Sequence, residues 1–205
     1  MTKKIHERVS SVHRNTNETK IQVNVNLDGT GENSIITGLP FFDHMLQQLS
    51  KHSLINIDIK CKGDLDIDSH HTIEDVGWAL GKAVNEALGN KKGIKRYSFS
   101  HLPMDESLTR CCIDISGRPW LVWNVFLPNV TIKDIETEIF KEFFQSFSQS
   151  AEITLHIENI YGQNTHHIIE SCFKSLAVSL RKAIQLDFRN LDNVPSTKGT
   201  LTGNK

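Results

Sequence analysis

The chain has 205 residues, of which 38% are hydrophobic and 23% charged, and its formal net charge at pH 7 is -1. This composition is typical of a globular protein with one large domain or two small ones, and the balanced charge argues against a nucleic-acid or membrane partner. No apolar run approaches the ~18 residues of a membrane span. We expect a cytoplasmic protein whose cysteines are reduced and buried: Cys61, Cys111, Cys112 and Cys172.

The first half of the chain predicts the order strand, helix, strand, helix. Residues 18–29 alternate apolar and polar side chains, which is the period of a half-buried strand. Residues 41–59 begin with the apolar spacing of a helix and end in a second alternating stretch. From residue 70 onward, apolar side chains at helical spacing predict an amphipathic helix.

The second half repeats this order. Residues 106–117 align with 18–29, residues 139–157 align with 41–59, and an extra strand is predicted within 118–135. The resulting fold is an α/β layered sandwich, an internally duplicated half-domain in which each half is a sheet backed by helices. We place the first repeat at residues 6–92, the second at 93–190 and a C-terminal tail at 191–205, within one compact domain.

Each predicted final helix opens with the motif HHxxE, at residues 70–74 and 166–170. Consecutive side chains on a helix point about 100° apart, so the two histidines diverge, whereas either can meet the glutamate three or four residues later. One ion per histidine, hence two ions, is the economical interpretation. The repeat alignment also places His44 opposite Glu142, which gives eight candidate ligands: His44, His70, His71, Glu74, Glu142, His166, His167 and Glu170.

This ligand set indicates the class of metal. It mixes imidazole and carboxylate without thiolate, which suits Mn²⁺, Fe²⁺, Ni²⁺ or Zn²⁺, and an octahedral preference favours Mn²⁺. Four ligands for each of two ions leave open positions, which metal-assisted chemistry requires.

Four further residues form a candidate anion site. Ser196 and Lys198, in the tail sequence PSTKG, offer a hydroxyl and an ammonium two residues apart. Arg96 and Arg118 stand near predicted strand ends, and a guanidinium can bind phosphate through two parallel hydrogen bonds. Together they predict a phosphate site, while part of the remaining tail is expected to be disordered.

Eight stretches, in chain order, resemble the imidazoleglycerol-phosphate dehydratase family of histidine biosynthesis: RNTNETKI, FFDHML, HHTIEDVGWALGKAV, PMDESL, DISGRPW, TLHI, HHIIESCFKSL and PSTKG. They span nearly the whole chain. Two positions vary from the family pattern: Ser98 stands where glycine is usual, and position 142, here Glu142, is histidine or glutamate among relatives.

The resemblance implies an activity and an assembly. Members dehydrate imidazole glycerol phosphate to imidazole acetol phosphate with two Mn²⁺ ions per active site. Similar proteins assemble as trimers into a 24-mer shell, with metal sites between subunits. Glu18 corresponds to the proposed acid/base of the family. The resemblance also implies contacts to the imidazole substrate and its phosphate, from Gln48, His52, Asp105, Lys174, Arg96, Arg118, Ser196 and Lys198.

Two other functions stay open at this point. A dinuclear metallohydrolase of phosphate esters would use the same metals and basic residues but release phosphate. A metal-binding shell without enzymatic activity would need neither Glu18 nor the PSTKG segment.

Overall fold

The computed structural model describes residues 7–201. Residue 6, where we place the start of the first repeat, and residues 202–205 of the predicted tail lie outside the described residues. The two repeat boundaries stay predictions.

The first half contains four strands and two helices. In chain order these are β1 (Val9–Asn15), β2 (Thr19–Asn26), β3 (Asn33–Ile36), α1 (Pro40–Ser53), β4 (Asn56–Gly63) and α2 (His70–Leu88). The second half continues with β5 (Tyr97–Met104), β6 (Ser107–Asp114), β7 (Trp120–Asn124), β8 (Thr131–Ile132), β9 (Ile135–Glu136), a 3₁₀ turn (Thr137–Ile139), α3 (Phe140–Ser150), β10 (Thr154–Tyr161) and α4 (Thr165–Ala183).

The two halves build sheets of the same topology. The strand orders are β1-β2-β4-β3 and β5-β6-β10-β7. In each sheet the first three strands pair antiparallel, and the last strand pairs parallel to its neighbour. The predicted fold class, a duplicated α/β layered sandwich, is confirmed.

The two most extensive helix pairs of the core each join the two halves. Helix α1 packs against α4, and α2 packs against α3, while α2 and α4 also cover their own sheets. Phenylalanines fill the centre: the ring centroids of Phe143 and Phe173 lie 4.9 Å apart, and those of Phe42 and Phe143 lie 5.6 Å apart. Since burying one such side chain contributes about 1.5–3 kcal/mol, this shared core holds both halves together.

The predicted order of elements is incomplete, because it omits β1, β3 and β5. Each of these is an edge strand. In β1 only Val12 is buried, in β3 only Ile35 is buried, and β5 includes Pro103. Edge strands bury one apolar residue or none, so they lack the alternation by which strands are recognised. The extra strand predicted within 118–135 is present as β7, the counterpart of β3, and the hairpin β8–β9 follows it.

The prediction that all four cysteines are buried is wrong for Cys112, which is exposed, whereas Cys111 and Cys172 are buried and Cys61 is half-buried. Successive side chains of a strand point to opposite faces, so Cys111 and Cys112 in β6 cannot both face the core. Within residues 7–201, no helix combines the length and the apolar character needed to cross a bilayer.

Candidate metal and substrate site

Packing of α1 on α4 brings three predicted ligands together, which we call the α1/α4 cluster: His44, His166 and Glu170. Glu170 Oε2 lies 3.0 Å from Nε2 of His166 and 3.5 Å from Nε2 of His44. All three ligand atoms lie within 4.8 Å of one another. The two imidazoles are partly open to solvent, whereas the Glu170 side chain is only 5% exposed. The cluster therefore combines a buried carboxylate with two imidazoles that solvent can reach.

The donor atoms of this cluster fit a divalent ion. Ligand atoms about 2.0–2.2 Å from a shared ion lie about 3–4 Å apart, close to the two spacings from Glu170. Two imidazole nitrogens and one carboxylate oxygen suit first-row divalent metals. Lys174 occupies the other carboxylate oxygen of Glu170, with Nζ 2.5 Å from Oε1, so Oε2 is left to face the histidines.

Polar side chains continue from the cluster along α1, and we call Gln48, His52 and the adjacent Lys174 the polar seam. Gln48 Oε1 lies 3.1 Å from Nε2 of His52, one helical turn further on. Burial lowers the pKa of His52, and the nearby charge of Lys174 lowers it further. Burial by itself would raise the pKa of Glu170, but hydrogen bonds from Lys174 and His166 outweigh burial and lower that pKa. The polar seam and Glu170 thus combine a carboxylate, an ammonium and an imidazole that favours its neutral form.

The equivalent residues on α2 and α3 are less complete. His70 Nε2 lies 3.4 Å from Glu74 Oε2 on α2, and both side chains are well exposed. Glu142 stands half-buried in the first turn of α3. Across the part of the chain that the structure describes, only the α1/α4 cluster brings three such ligand atoms together.

The second histidine of each motif points away from the first. Ring centroids are 6.1 Å apart for His70 and His71, with the planes at 74°, and 6.0 Å apart for His166 and His167, at 81°. His71 Nδ1 lies 3.0 Å from Oδ2 of Asp64. This hydrogen bond raises the pKa of His71. Adjacent histidines therefore face separate surroundings.

Glu18 lies beside the other nitrogen of His71, with Oε1 3.7 Å from Nε2. Its side chain is half exposed, while its backbone N–H donates to Thr16 Oγ1 at 3.1 Å. The next residue, Thr19, is buried and donates to the carboxylate of Asp75 on α2 at 2.5 Å. The strand start is thus fixed to α2, and the Glu18 carboxylate stays half exposed beside His71.

His167 has the corresponding carboxylate neighbour, Glu106. His167 Nδ1 lies 2.6 Å from Glu106 Oε2, and its Nε2 lies 3.7 Å from Asp105 Oδ2. The other oxygen of Glu106 accepts the backbone N–H groups of Asn164 at 2.8 Å and Gln163 at 3.1 Å. The Asn164 bond, then the His167 bond, lower the pKa of Glu106 to about 2, while the Glu106 bond raises the pKa of His167.

Sequence reasoning missed both Asp64 and Glu106 as site residues. Glu106 could have been found, because it aligns with Glu18 in the repeat. Asp64 has no such signal, since it lies in the polar link after β4.

The four candidate phosphate residues lie at one end of the second sheet, around Asp114. Arg96 is almost fully buried; it donates to Asp114 Oδ1 at 2.7 Å and to the carbonyl of Pro195 at 2.8 Å. Arg118 is 63% exposed, with Nη2 3.7 Å from Asp114 Oδ2. In the adjoining turn, the backbone N–H of Lys198 donates to Ser196 Oγ at 3.2 Å. Arg96 therefore ties this turn to the sheet, and Arg118 leaves its guanidinium accessible.

Sequence comparison finds relatives that match nearly the whole chain. The protein-family model described as imidazoleglycerol-phosphate dehydratase matches residues 37–180. A protein of that name from Sinorhizobium fredii is 55% identical over 194 residues, covering 95% of this chain and 96% of the relative. One from Ruegeria pomeroyi is also 55% identical over 194 residues, covering 95% and 100%.

Solved structures resemble the chain equally broadly. The crystal structure of imidazoleglycerol-phosphate dehydratase from Staphylococcus aureus superposes with a TM-score of 0.79 at 34% identity, covering 87% of this chain and 99% of that one. The Pyrococcus furiosus structure gives a TM-score of 0.80 at 31% identity, covering 93% and 100%.

Proposed function

The chain belongs to the imidazoleglycerol-phosphate dehydratase family and catalyses the dehydration of imidazole glycerol phosphate in histidine biosynthesis, and we propose that it does so with divalent metal ions held by its two HHxxE motifs. The family assignment replaces the two alternatives that the sequence left open, a metallohydrolase and a non-enzymatic shell. The observation that carries the metal proposal is the α1/α4 cluster, in which residues from both halves meet with ligand spacing.

His44, His166 and Glu170 would hold one ion. The remaining five candidates, His70, His71, Glu74, Glu142 and His167, would complete the coordination of two ions per active site. Mn²⁺ is the metal we propose, since imidazole and carboxylate ligands with open octahedral positions suit it. A bound divalent ion supplies Lewis acidity and a template for the imidazole ring of the substrate.

Glu18 is the proposed acid/base. Removal of water requires a proton to leave carbon and a proton to reach the departing hydroxyl, and a half-exposed carboxylate beside His71 can carry either one. Its half-exposed position gives it access to a bound substrate. A positioned acid/base contributes about 10²–10⁴-fold to such a step.

The other proposed substrate contacts divide between the two groups of residues already described. Gln48, His52 and Lys174 form the polar seam beside the α1/α4 cluster, and Asp105 lies beside His167. Arg118, Ser196 and Lys198 would bind the phosphate, while Arg96 would act mainly by holding the turn that carries Ser196. Fixing the phosphate end orients the reacting carbon, so remote binding energy serves the chemical step.

Self-association into trimers and a 24-mer in the cytoplasm completes the proposal. The α2/α3 end offers only part of a ligand set from one chain, which fits sites that a neighbouring subunit completes. The outer face of the second sheet also exposes large apolar side chains, including Tyr97, Phe99 and Trp120. Exposed apolar patches of this kind mark interaction surfaces.

The decisive experiment follows product formation from imidazole glycerol phosphate. Chelation should abolish turnover and Mn²⁺ should restore it, while Glu18→Gln should keep metal content but lose about 10²–10⁴-fold in kcat. Full turnover by metal-free protein would contradict the metal proposal, and an unchanged kcat would remove Glu18 from the mechanism. Light scattering on the same samples tests the assembly, which we expect to shrink when metal is removed.

A further inference from the structure

The two HHxxE motifs share a contact that the repeat alignment does not explain. In each motif, the second histidine directs Nδ1 at a carboxylate: His71 at Asp64, 3.0 Å away, and His167 at Glu106, 2.6 Å away. A carboxylate can only accept a hydrogen bond, so Nδ1 must carry the proton. In the neutral ring the lone pair is then on Nε2, which is the form that binds a metal through Nε2.

The two carboxylates come from different places in the repeat. Asp64 follows β4, whereas Glu106 lies in the β5–β6 turn and aligns with Glu18. Inheritance from one ancestral half would have placed the same residue in both contacts. Different residues therefore meet the equivalent nitrogen in the two halves, which indicates a requirement of the site.

Folding stability does not account for the Asp64 contact. The Asp64 side chain is only 16% exposed, and its buried Oδ1 has no hydrogen-bond partner among the described residues. A buried polar atom without a partner destabilises the fold. The hydrogen bond to His71 is therefore the interaction that explains why Asp64 is placed here.

We propose that Asp64 and Glu106 are positioning residues that hold His71 and His167 in the Nδ1–H tautomer and aim Nε2 at the metal ions; this rests on the proposed metal-dependent function. Metal-bound histidines commonly donate their second ring N–H to such an outer carboxylate, and losing that partner weakens metal affinity about 10–100-fold. The duplicated halves have then diverged: because Asp64 orients His71, Glu18 is free to transfer protons, whereas its counterpart Glu106 orients His167.

Substitution of Glu106 distinguishes this role from a simple loss of charge. In Glu106→Gln the single carbonyl oxygen must accept from two backbone N–H groups, those of Gln163 and Asn164. The amide NH₂ then faces Nδ1 of His167, which must become an acceptor. The ring proton moves to Nε2 and blocks the nitrogen that would bind metal.

Substitution of Asp64 should behave differently. No backbone group binds Asp64 Oδ1, so in Asp64→Asn the carbonyl can still accept from His71 Nδ1 and the tautomer is kept. Asp64→Leu has a similar shape but no acceptor, and it releases the ring. We therefore expect a small effect from Asp64→Asn and a large one from Asp64→Leu.

Two measurements on the full chain test the proposal. Long-range ¹H–¹⁵N NMR of the metal-free protein reads the tautomers, and Mn²⁺ titration followed by electron paramagnetic resonance reads affinity. We expect Glu106→Gln to show Nε2–H at His167, and both Glu106→Gln and Asp64→Leu to lose about 10–100-fold in affinity. Glu86→Gln is the matched control, because its carboxylate binds Ser10 and Lys82 near the far end of α2.

The outcomes separate this inference from the function on which it rests. If Glu106→Gln keeps Nδ1–H at His167, or if Mn²⁺ affinity is unchanged in Glu106→Gln and Asp64→Leu while the wild-type chain binds metal, the positioning role is overturned. If the wild-type chain binds no Mn²⁺, the proposed metal function fails first, and the inference fails with it.

Discussion

The helix pairs α1/α4 and α2/α3 occupy equivalent places in the duplicated fold, but their side chains meet differently. At the α1/α4 end, His44 reaches across to Glu170 and His166, and three ligand atoms meet within one chain. At the α2/α3 end, Glu142 does not join His70 and Glu74 in such a group among residues 7–201. Duplication thus reproduced the ligand positions without reproducing the cluster.

The difference extends into the helix contact itself. On α2, Gly81 lies against α3 so closely that an added Cβ would stand 2.5 Å from the backbone oxygen of Phe147. The counterpart of Gly81 on α4 is Ala177, which is fully buried, and the counterpart of Gly77 is Phe173. The backbone of α3 approaches α2 closely at Gly77 and Gly81, whereas α4 carries Phe173 and Ala177 at the equivalent positions. Equivalent positions therefore hold glycine in one half and a larger residue in the other.

The largest expected effect is a loss of metal affinity that occurs at the α1/α4 end and not at the α2/α3 end. In metal-free protein diluted until single chains predominate by light scattering, His44→Ala should lower Mn²⁺ affinity at least about 100-fold, since losing even an outer-shell partner costs about 10–100-fold. Glu142→Ala should leave this first binding event nearly unchanged. Equal losses in both variants would mean that the α2/α3 end also binds metal within one chain.

A reciprocal exchange at one equivalent position sharpens the packing comparison. Gly81→Ala should lower the free energy of unfolding by about 2 kcal/mol, because the new methyl group overpacks the α2/α3 contact. Ala177→Gly should lower it by about 1 kcal/mol, through the poorer helix propensity of glycine. Urea unfolding measures both, and a stabilised Gly81→Ala protein would refute the close approach.

The smallest expected effect is on the pH dependence of folding stability, to which both halves contribute in the same direction. Asp64 and Glu106 raise the pKa values of His71 and His167 in the metal-free chain. A raised pKa contributes stability that is complete below the unfolded value of about 6.5 and is lost as pH rises through the folded value. Metal-free protein should therefore lose this contribution above pH 6.5. Urea unfolding of the double variant His71→Gln and His167→Gln should lack that part of the pH dependence.

The central strands and all four helices could be predicted because their patterns are strong. In β2, Ile21, Val23 and Val25 alternate with polar residues, and the structure buries all three. The edge strands β1, β3 and β5 could not be predicted, since an edge strand needs few apolar residues on either face.

The candidate site was predictable to the extent that it repeats. Two copies of HHxxE in register identify both histidine pairs, and the alignment identifies His44. Asp64 and Glu106 act through hydrogen bonds set by tertiary structure, and a carboxylate in a turn has many other uses. The burial of Arg96 between Asp114 and Pro195 also depends on how the C-terminal segment returns to the sheet, which no local pattern encodes.

The cross-pairing of helices bears on how the chain is made. Helices α1 and α2 leave the ribosome before their partners α4 and α3 exist, and synthesis at about 5–20 residues per second leaves their apolar faces uncovered for several seconds or more. Neither half can form its native core alone, so folding must wait for contacts between distant parts of the chain. Such long loop closures favour slow folding, and the apolar surface exposed meanwhile makes the nascent first half prone to aggregation.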